Sequence, residues 1–236
     1  MSTKAPIILA VDTSDLELAK SWISSTTDYV SVFKLGLEFF LNFGQEGIRA
    51  ITDNSDAKIF LDLKLHDIPN TVAHAAQSVS SLNPMFLTVH ASGGSAMISA
   101  AVKASPQTHI TAVTILTSMS DSDVYAIGLK NDAMESATQL AQLAVSAGAR
   151  AIVCSPLETA RIRQVIGHET MIITPGVRPA SMAGTDDQTR TMTPSAAIAA
   201  GANYVVIGRP ITNAWEPTGT EIRKRARDIA SEILNS

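Results

Sequence analysis

Eight short apolar runs, separated by stretches with helical periodicity, constrain the fold of this chain most strongly. They begin near Ile7, Val30, Ala57, Met85, His109, Ala149, Thr170 and Asn203. Strands that alternate with helices in this way are typical of a closed parallel barrel, and a barrel of about 250 residues fits the 236 residues present. No linker-like or low-complexity segment divides the sequence. We therefore predict an α/β fold with a single (β/α)8 TIM barrel domain over residues 1–236.

Local signals predict where two helices begin. Ser14 is followed three residues later by Glu17, a spacing typical of a capping box at the start of the first helix. The dipeptide Thr193-Pro194 predicts an N-cap and a first helical position. Before it, the stretch from Pro179 to Thr193 is rich in Gly, Ser, Thr and Asp and is longer than most connections in a compact domain. We predict that this stretch forms a mobile lid.

Composition and charge argue against several classes of protein. The formal net charge is -4 with mixed signs, whereas a nucleic-acid or membrane surface favours basic clusters. No apolar stretch is long enough to span a bilayer, and the amino terminus does not resemble a signal peptide. The single cysteine, Cys154, excludes an internal disulfide and lies in an apolar run, where we expect a buried small side chain. We expect a cytoplasmic enzyme that binds neither nucleic acid nor membranes.

Charged side chains occur where three of the predicted strands end. Asp62 and Lys64 interrupt a leucine-rich strand and share one face of it, about 7 Å apart along the backbone. Taken alone, they form either a structural ion pair or part of a site. Asp12 and Lys34 also lie near the carboxyl ends of apolar strands, which is the edge of parallel α/β folds where ligands bind. This repetition favours a functional site.

Two later loops have the composition of a phosphate site. TIM barrels commonly bind phosphate with the loops that follow strands seven and eight. Here those loops contain Pro-Gly-Val-Arg178 and Gly208-Arg209-Pro. Glycines let backbone N–H groups approach an anion, and a guanidinium group can hold two phosphate oxygens. The arginines could instead be ordinary surface residues, but their position beside glycines at strand ends favours phosphate binding.

Three motifs occur together along the chain. They are Phe33-Lys34-Leu-Gly, Asp62-Leu-Lys64-Leu-His-Asp67-Ile-Pro-Asn-Thr71 and Thr174-Pro-Gly-Val-Arg178-Pro. In combination they resemble the orotidine 5'-monophosphate decarboxylase family of the bacterial type, and the likeness runs from about Ile7 to Arg209. The Asp-x-Lys-x-x-Asp core is shared with sister sugar-phosphate enzymes. The extension to Thr71, together with Lys34, is therefore the more specific part of the resemblance.

The resemblance implies loss of carbon dioxide from orotidine 5'-monophosphate to give uridine 5'-monophosphate, the last step of de novo pyrimidine synthesis, without a metal or an organic cofactor. Electrostatic interactions must then stabilise the carbanion that remains on the ring. By resemblance Lys64 stabilises and protonates this carbanion, and Lys34 and Asp67 hold Lys64 in place. Asp62 lies near the departing carboxylate, and it either repels that group or mainly positions the lysines.

The resemblance also assigns the residues that bind the substrate. They are Asp12 at the ribose, Thr117 and Ser118 at the pyrimidine, Lys34 beside the reacting groups, and Arg178, Gln188, Gly208 and Arg209 at the phosphate. Gln188 would reach the phosphate from the lid. Asp67 and Thr71 would project into the site of a neighbouring subunit, where Thr71 reaches a ribose hydroxyl. A homodimer with shared active sites is therefore implied.

Other functions fit parts of this pattern. A magnesium-dependent sugar-phosphate decarboxylase or aldolase of the same superfamily would need a metal-binding acid where Lys34 stands, and a cation there repels magnesium. A Schiff-base aldolase requires a neutral lysine, whereas carboxylates beside Lys64 favour its charged form. A nucleotide sensor would keep Arg209 and the lid while losing the charged cluster. The five histidines lack the spacing of metal ligands, so we predict no metal site.

Overall fold

The computed structural model contains a closed barrel of eight parallel strands in chain order, with β1 also pairing with β8. It describes residues 4–53, 55–179 and 192–235. The strands are β1 (Ala5–Ala10), β2 (Val30–Gly36), β3 (Ile59–Leu65), β4 (Phe86–His90), β5 (His109–Val113), β6 (Ala151–Val153), β7 (Met171–Thr174) and β8 (Tyr204–Ile207). Each strand begins within two residues of a run named above. The predicted (β/α)8 TIM barrel is confirmed.

Helices follow the strands and surround the barrel. They are α1 (Leu16–Thr26), α2 (Leu37–Thr52), α3 (Pro69–Ser80), α4 (Gly94–Ala104), α5 (Asp121–Ala126), α6 (Ala133–Ser146), α7 (Thr159–Ile166), α8 (Pro194–Ala199), α9 (Arg209–Thr212) and α10 (Thr220–Leu234). A short 3-10 turn, Ala91–Gly93, precedes α4. Within the described residues, no helix combines the length and the apolar character that crossing a membrane requires.

Alternate residues along the strands pack into two separate apolar clusters. The larger cluster joins the strands to the helices and includes Ile7 and Leu9. The smaller one consists of Ile8, Val32, Phe60, Phe86, Ala151 and Ile173. The rings of Phe60 and Phe86 meet edge to face, with centroids 5.4 Å apart. Because side chains fill the barrel in this way, its interior is a packed plug and a ligand must bind at one end.

The predicted helix starts are wrong in one case and confirmed in the other. Helix α1 is capped by Asp15, whose Oδ1 accepts hydrogen bonds from the backbone N–H groups of Glu17 and Leu18. The predicted cap, Ser14, lies one residue before the true N-cap, because the Asp15 carboxylate already accepts from the N–H groups of the first turn. Helix α8 begins as predicted, because the Thr193 hydroxyl accepts from the N–H of Ala196 at 3.2 Å.

The single cysteine lies inside the fold, as predicted. Cys154 follows β6 and is fully buried. Burial, reinforced by the negative charge of Glu158, raises the pKa of its thiol. The thiol is therefore protonated at neutral pH and unsuited to nucleophilic chemistry.

Candidate active site

Four charged side chains from three adjacent strand ends form a continuous array. Lys34 Nζ lies 3.0 Å from Asp12 Oδ1 and 3.5 Å from Asp62 Oδ2. Asp62 Oδ1 in turn lies 2.8 Å from Lys64 Nζ. The signs therefore alternate from Asp12 through Lys34 and Asp62 to Lys64. The structure brings together these four residues, which the sequence had placed at strand ends.

The backbone that presents Asp62 and Lys64 is not the regular strand that the sequence predicted. Lys64 has a φ of 48°, in the left-handed region that residues with a Cβ rarely adopt. The pairing of β3 with β4 also shifts register between Leu61 and Leu65. This bulge changes the direction in which Lys64 points, as bulges beside active sites often do. The ammonium still reaches Asp62, but by a local bulge and not by simple alternation.

Asp62 is the most constrained member of the array. Its side chain is only 13% exposed, and burial by itself raises the pKa of a carboxyl group. The charges of Lys34 and Lys64 outweigh this effect, and hydrogen bonding acts in the same direction, so the pKa of Asp62 lies below its ordinary value of 3.8. Two unit charges about 4 Å apart attract each other by about 4 kcal/mol at an effective dielectric constant of about 20. The carboxylate is therefore ionised at neutral pH.

A cavity of about 190 Å³ opens beside the array at the carboxyl ends of the strands. Its described lining is Lys34, Phe60, Asp62, Lys64, Val113, Ile115, Leu116, Thr117, Val153, Pro175 and Val206. Phe60 belongs to the apolar plug of the barrel, so the plug also forms the floor of the cavity. One wall is charged and the remainder is mostly apolar, a combination that holds an aromatic ring against fixed charges.

A larger groove elsewhere does not carry comparable chemistry. It has a volume of about 440 Å³ and lies between α1 and α2. Its described lining is Lys20, Ile23, Ser24, Thr27, Ala50, Ile51 and Ser55. Lys20 is its sole ionisable side chain in the described part of the chain, and it already pairs with Glu17. Convergent polar groups identify a site better than volume does, so we assign the candidate site to the smaller cavity.

Asp67 and Thr71 lie outside this chain's own charged array. Both are exposed, Asp67 in the loop after β3 and Thr71 in the first turn of α3. The Asp67 carboxylate accepts a hydrogen bond of 2.6 Å from the N–H of Ile68. Among the described residues it forms no ion pair with Lys64 of the same chain. Within one subunit Asp67 therefore does not hold Lys64, and its contact with Lys64 of a neighbouring subunit stays a prediction.

The two residues assigned to the pyrimidine end differ in position. Thr117 lines the cavity in the loop after β5. Ser118 is exposed and does not belong to the described lining. The geometry therefore brings Thr117, but not Ser118, to the cavity.

The residues assigned to phosphate follow β7 and β8, which are neighbours in the barrel. Gly208 precedes α9, and a Cβ there would lie 3.3 Å from the Cβ of Ala10, so a glycine allows β8 to end close to β1. Arg209 begins α9 and is exposed. Arg178 donates from its backbone N–H to the Met192 carbonyl at 2.9 Å, so the residue before the predicted lid contacts a residue near the end of the lid.

Most of the predicted lid, residues 180–191, lies outside the described residues. Gln188 belongs to this part of the lid and therefore also lies outside them. The described flanks are Pro179, which is buried, and Met192, which forms an isolated parallel bridge with Val177.

Two residues that contact the array were missed from the sequence. A Cβ at Gly36 would lie 3.2 Å from both Asp12 Oδ1 and Lys34 Nζ, so the glycine leaves room for that ion pair. The buried hydroxyl of Thr88 donates to Asp62 Oδ1 at 3.0 Å. The glycine that follows Lys34 by two residues was a visible signal. Thr88 gave no such signal in the sequence, because a threonine in an apolar strand is typical of β-structure.

Metal ligands are not grouped in the described residues. No cluster of three or more His, Cys, Asp or Glu side chains with the geometry to hold an ion occurs there. His66 and His90 lie beside each other near the array, with ring centroids 5.4 Å apart. Burial, with the charges of His66 and Lys64, lowers the pKa of His90, which favours its neutral form.

Comparison with known proteins gives the family. The model of the orotidine 5'-phosphate decarboxylase / HUMPS family matches residues 5–222. The chain belongs to this family. The orotidine 5'-phosphate decarboxylase of Thermobifida fusca is 51% identical over 213 residues, covering 90% of this chain and 91% of that protein. That of Gluconobacter oxydans is 41% identical over the full length of both chains.

Solved structures agree with this assignment. The crystal structure of orotidine 5'-phosphate decarboxylase from Lactobacillus acidophilus superposes with a TM-score of 0.82 at 34% identity, covering 98% of this chain and 99% of that one. Membership of the decarboxylase family, which the motifs indicated by resemblance, is thereby confirmed.

Acid should remove the stability that the charged array gives to this family member. Because the pKa of Asp62 is lower in the folded state, its contribution is complete above the unfolded value near 3.8 and is lost as the pH falls towards the folded value. We expect wild type to lose more thermal stability than Asp62→Asn between about pH 5 and about pH 3. Melting curves at a fixed protein concentration measure this loss. Equal losses in the two proteins would contradict the assignment, since the other carboxyl groups are common to both.

Proposed function

We propose that this chain decarboxylates orotidine 5'-monophosphate to uridine 5'-monophosphate, the last step of de novo pyrimidine synthesis, without a metal or an organic cofactor. The proposal depends chiefly on one observation: Lys34, Asp62 and Lys64 alternate in charge along one wall of a cavity whose remaining lining is mostly apolar. The relatives named above carry the name of this activity. In this proposal the enzyme acts in the cytoplasm on a small nucleotide, not on nucleic acid or membranes.

The chemistry requires a fixed positive charge. Loss of carbon dioxide leaves an electron pair in the plane of the pyrimidine ring, where no conjugated group can accept it. An ammonium group beside that carbon lowers the energy of the developing carbanion and can then donate a proton to it. Lys64 is suited to this role, because it lines the cavity and its ammonium is held by Asp62. A preformed array of this kind needs little reorganisation during the reaction.

The remaining members of the array position Lys64 and contact the substrate. Lys34 balances the charge of Asp62 on the side away from Lys64 and is itself held by Asp12. Asp12 is the exposed end of the array, which suits a residue that binds ribose hydroxyls. Asp62 would lie beside the carboxylate that departs. Thr117, which also lines the cavity, would contact the pyrimidine, and Ser118 would join it after a local rearrangement.

The phosphate would bind at the loops after β7 and β8. Arg178 and Arg209 supply guanidinium groups, Gly208 allows the backbone to approach closely, and Gln188 would contribute from the lid. Binding energy from this unreactive end of the substrate can be used to close the lid and assemble the reacting centre.

A homodimer with shared sites accounts for the outward direction of Asp67 and Thr71. Both side chains are exposed in the single chain, Asp67 in the loop between β3 and α3 and Thr71 in the first turn of α3. Large apolar side chains are also exposed after the neighbouring strands β2 and β3, namely Leu37 and Leu41 in α2 and Ile68 just before α3, at 47%, 79% and 66%. Apolar exposure of this size is costly in water and favours burial against a second copy. In such a dimer, Asp67 of one subunit would approach Lys64 of the other.

The position of Lys34 disfavours the magnesium-dependent alternative. A sister enzyme that holds magnesium beside Asp62 would need an acid at this position. The Lys34 ammonium lies 3.5 Å from Asp62 and so occupies that side of the carboxylate with a positive charge.

The decisive assay mixes the protein with orotidine 5'-monophosphate and follows the pyrimidine absorbance, with EDTA present to bind divalent metal ions. Wild type should convert it to uridine 5'-monophosphate, whereas Lys64→Ala should lose nearly all turnover because the ammonium is gone. Binding of uridine 5'-monophosphate to the variant, measured by calorimetry, should survive and would show that the site is intact. Substantial turnover by Lys64→Ala would exclude it as the proton donor. If wild type leaves orotidine 5'-monophosphate unchanged but converts a sugar phosphate once magnesium is added, the result would favour the sister enzymes.

Gly36→Ala tests how strictly Lys34 must be placed. The φ of Gly36 is -91°, so the backbone accepts alanine, but the new Cβ would lie 3.2 Å from the Lys34 ammonium and from Asp12. We expect kcat/KM to fall by about tenfold as the ion pair shifts by a few tenths of an ångström, because small displacements of reacting groups are costly. The melting temperature should change little. Unchanged kcat/KM would show that the position of Lys34 is not critical.

Mixed dimers test the shared site. Lys64→Ala and Asp67→Ala should each be nearly inactive as homodimers. A heterodimer of the two would contain one site with both residues intact, so random pairing of equal amounts should restore about one quarter of wild-type activity. Co-expression with two different affinity tags isolates the heterodimers, which should show about half of wild-type activity because one of their two sites is intact. If each site were built from one chain alone, no activity would return.

A further inference from the structure

Thr88 lies where β3 carries extra residues relative to β4. Between the paired positions on either side, three residues of β3, from Asp62 to Lys64, lie opposite this one residue of β4. The side chain of Thr88 is fully buried. Its hydroxyl therefore has no access to solvent and must bond within the bulge.

The hydroxyl of Thr88 makes two bonds of opposite direction. It accepts a hydrogen bond from the backbone N–H of Lys64 at 2.8 Å. It donates its proton to Asp62 Oδ1 at 3.0 Å. A hydroxyl has one proton and two lone pairs. The Thr88 proton is donated to Asp62, and one lone pair accepts from the Lys64 N–H. The same Asp62 oxygen accepts from Lys64 Nζ at 2.8 Å.

These bonds close a ring around Lys64. The backbone N–H is held by Thr88, the ammonium is held by Asp62, and Thr88 joins the two. The left-handed backbone of Lys64 is unfavourable for a residue with a Cβ, so other contacts must hold it in that conformation. Thr88 holds the backbone in the conformation that places the ammonium on the cavity wall.

We propose that Thr88 is a positioning residue of the decarboxylation, because its hydroxyl locks both the bulged backbone of Lys64 and the carboxylate of Asp62. This inference depends on the proposed function. Thr88 acts through these two residues and does not belong to the described lining of the cavity. Its loss should therefore affect the chemical step more than nucleotide binding.

Thr88→Val tests this role, since valine keeps the shape of threonine and removes both hydrogen bonds. We expect kcat for orotidine 5'-monophosphate to fall by at least about tenfold, while KM and the affinity for uridine 5'-monophosphate stay within about threefold. Thr88→Ser restores the hydroxyl and should recover most of the turnover. A fold defect alone would lower kcat and nucleotide affinity together, and serine would not rescue it.

The chain offers a matched control. Thr111 lies on β5 at the position paired with Thr88, and it is equally buried. Its hydroxyl donates to the backbone carbonyl of His109 and contacts no member of the array. Thr111→Val should therefore leave kcat within about twofold of wild type. An equal fall of kcat in the two valine variants would overturn the role of Thr88.

Further outcomes separate this inference from the proposed function. An active wild type together with full turnover in Thr88→Val would refute the role of Thr88 alone. A wild type without decarboxylase activity would refute the proposed function and this role with it.

If Thr88→Val does not fold, Thr88→Cys replaces it, because a thiol is a weak donor of similar size to the serine hydroxyl. Turnover of Thr88→Cys should lie well below that of Thr88→Ser, and equal values would overturn the proposal.

Discussion

The interaction on which the site depends is the pairing of one nearly buried carboxylate with two ammonium groups. Asp62 would be costly to bury alone, and neither lysine can be removed without leaving part of that cost uncompensated. Lys34 approaches one carboxylate oxygen and Lys64 the other. The positions of both lysines are therefore tied to that of Asp62. A change at any of the three should move the other two, so the array acts as one unit.

The barrel explains why such an array can form. Asp12, Lys34 and Asp62 come from three consecutive strands, and parallel pairing aligns their carboxyl ends. Helix packing outside the strands and the apolar plug inside fix this alignment before any ligand is present. The plug contributes in a second way, since the buried ring of Phe60 presents an apolar surface to the cavity beside the charges. Coulomb attraction is stronger where water is excluded, so the same packing that stabilises the fold also strengthens the array.

The sequence predicted those parts of the structure that follow from periodicity. Eight apolar runs gave the barrel, and charges at strand ends gave Asp12, Lys34, Asp62 and Lys64 as neighbours. The assumption of a regular strand was wrong at Lys64, because period-two alternation contains no information about a bulge or a positive φ. Thr88 was missed for the same reason, since its role exists only through the bulge opposite it. The assignment of Asp15 to the cap of α1 required the local backbone conformation, as Ser14 and Asp15 are both good capping residues.

The outward direction of Asp67 has an electrostatic consequence for Lys64. In one chain, the array contains two lysines and the two carboxylates of Asp12 and Asp62, so its formal charge is zero. Lys64 lies at one end of it and has a single carboxylate partner among the described residues of its own chain. A second copy that brought its Asp67 to this end would place the ammonium between two carboxylates, which would hold it from both sides. In this arrangement, association of two chains would complete the array as well as cover apolar surface, and the dimer would be part of the catalytic machinery.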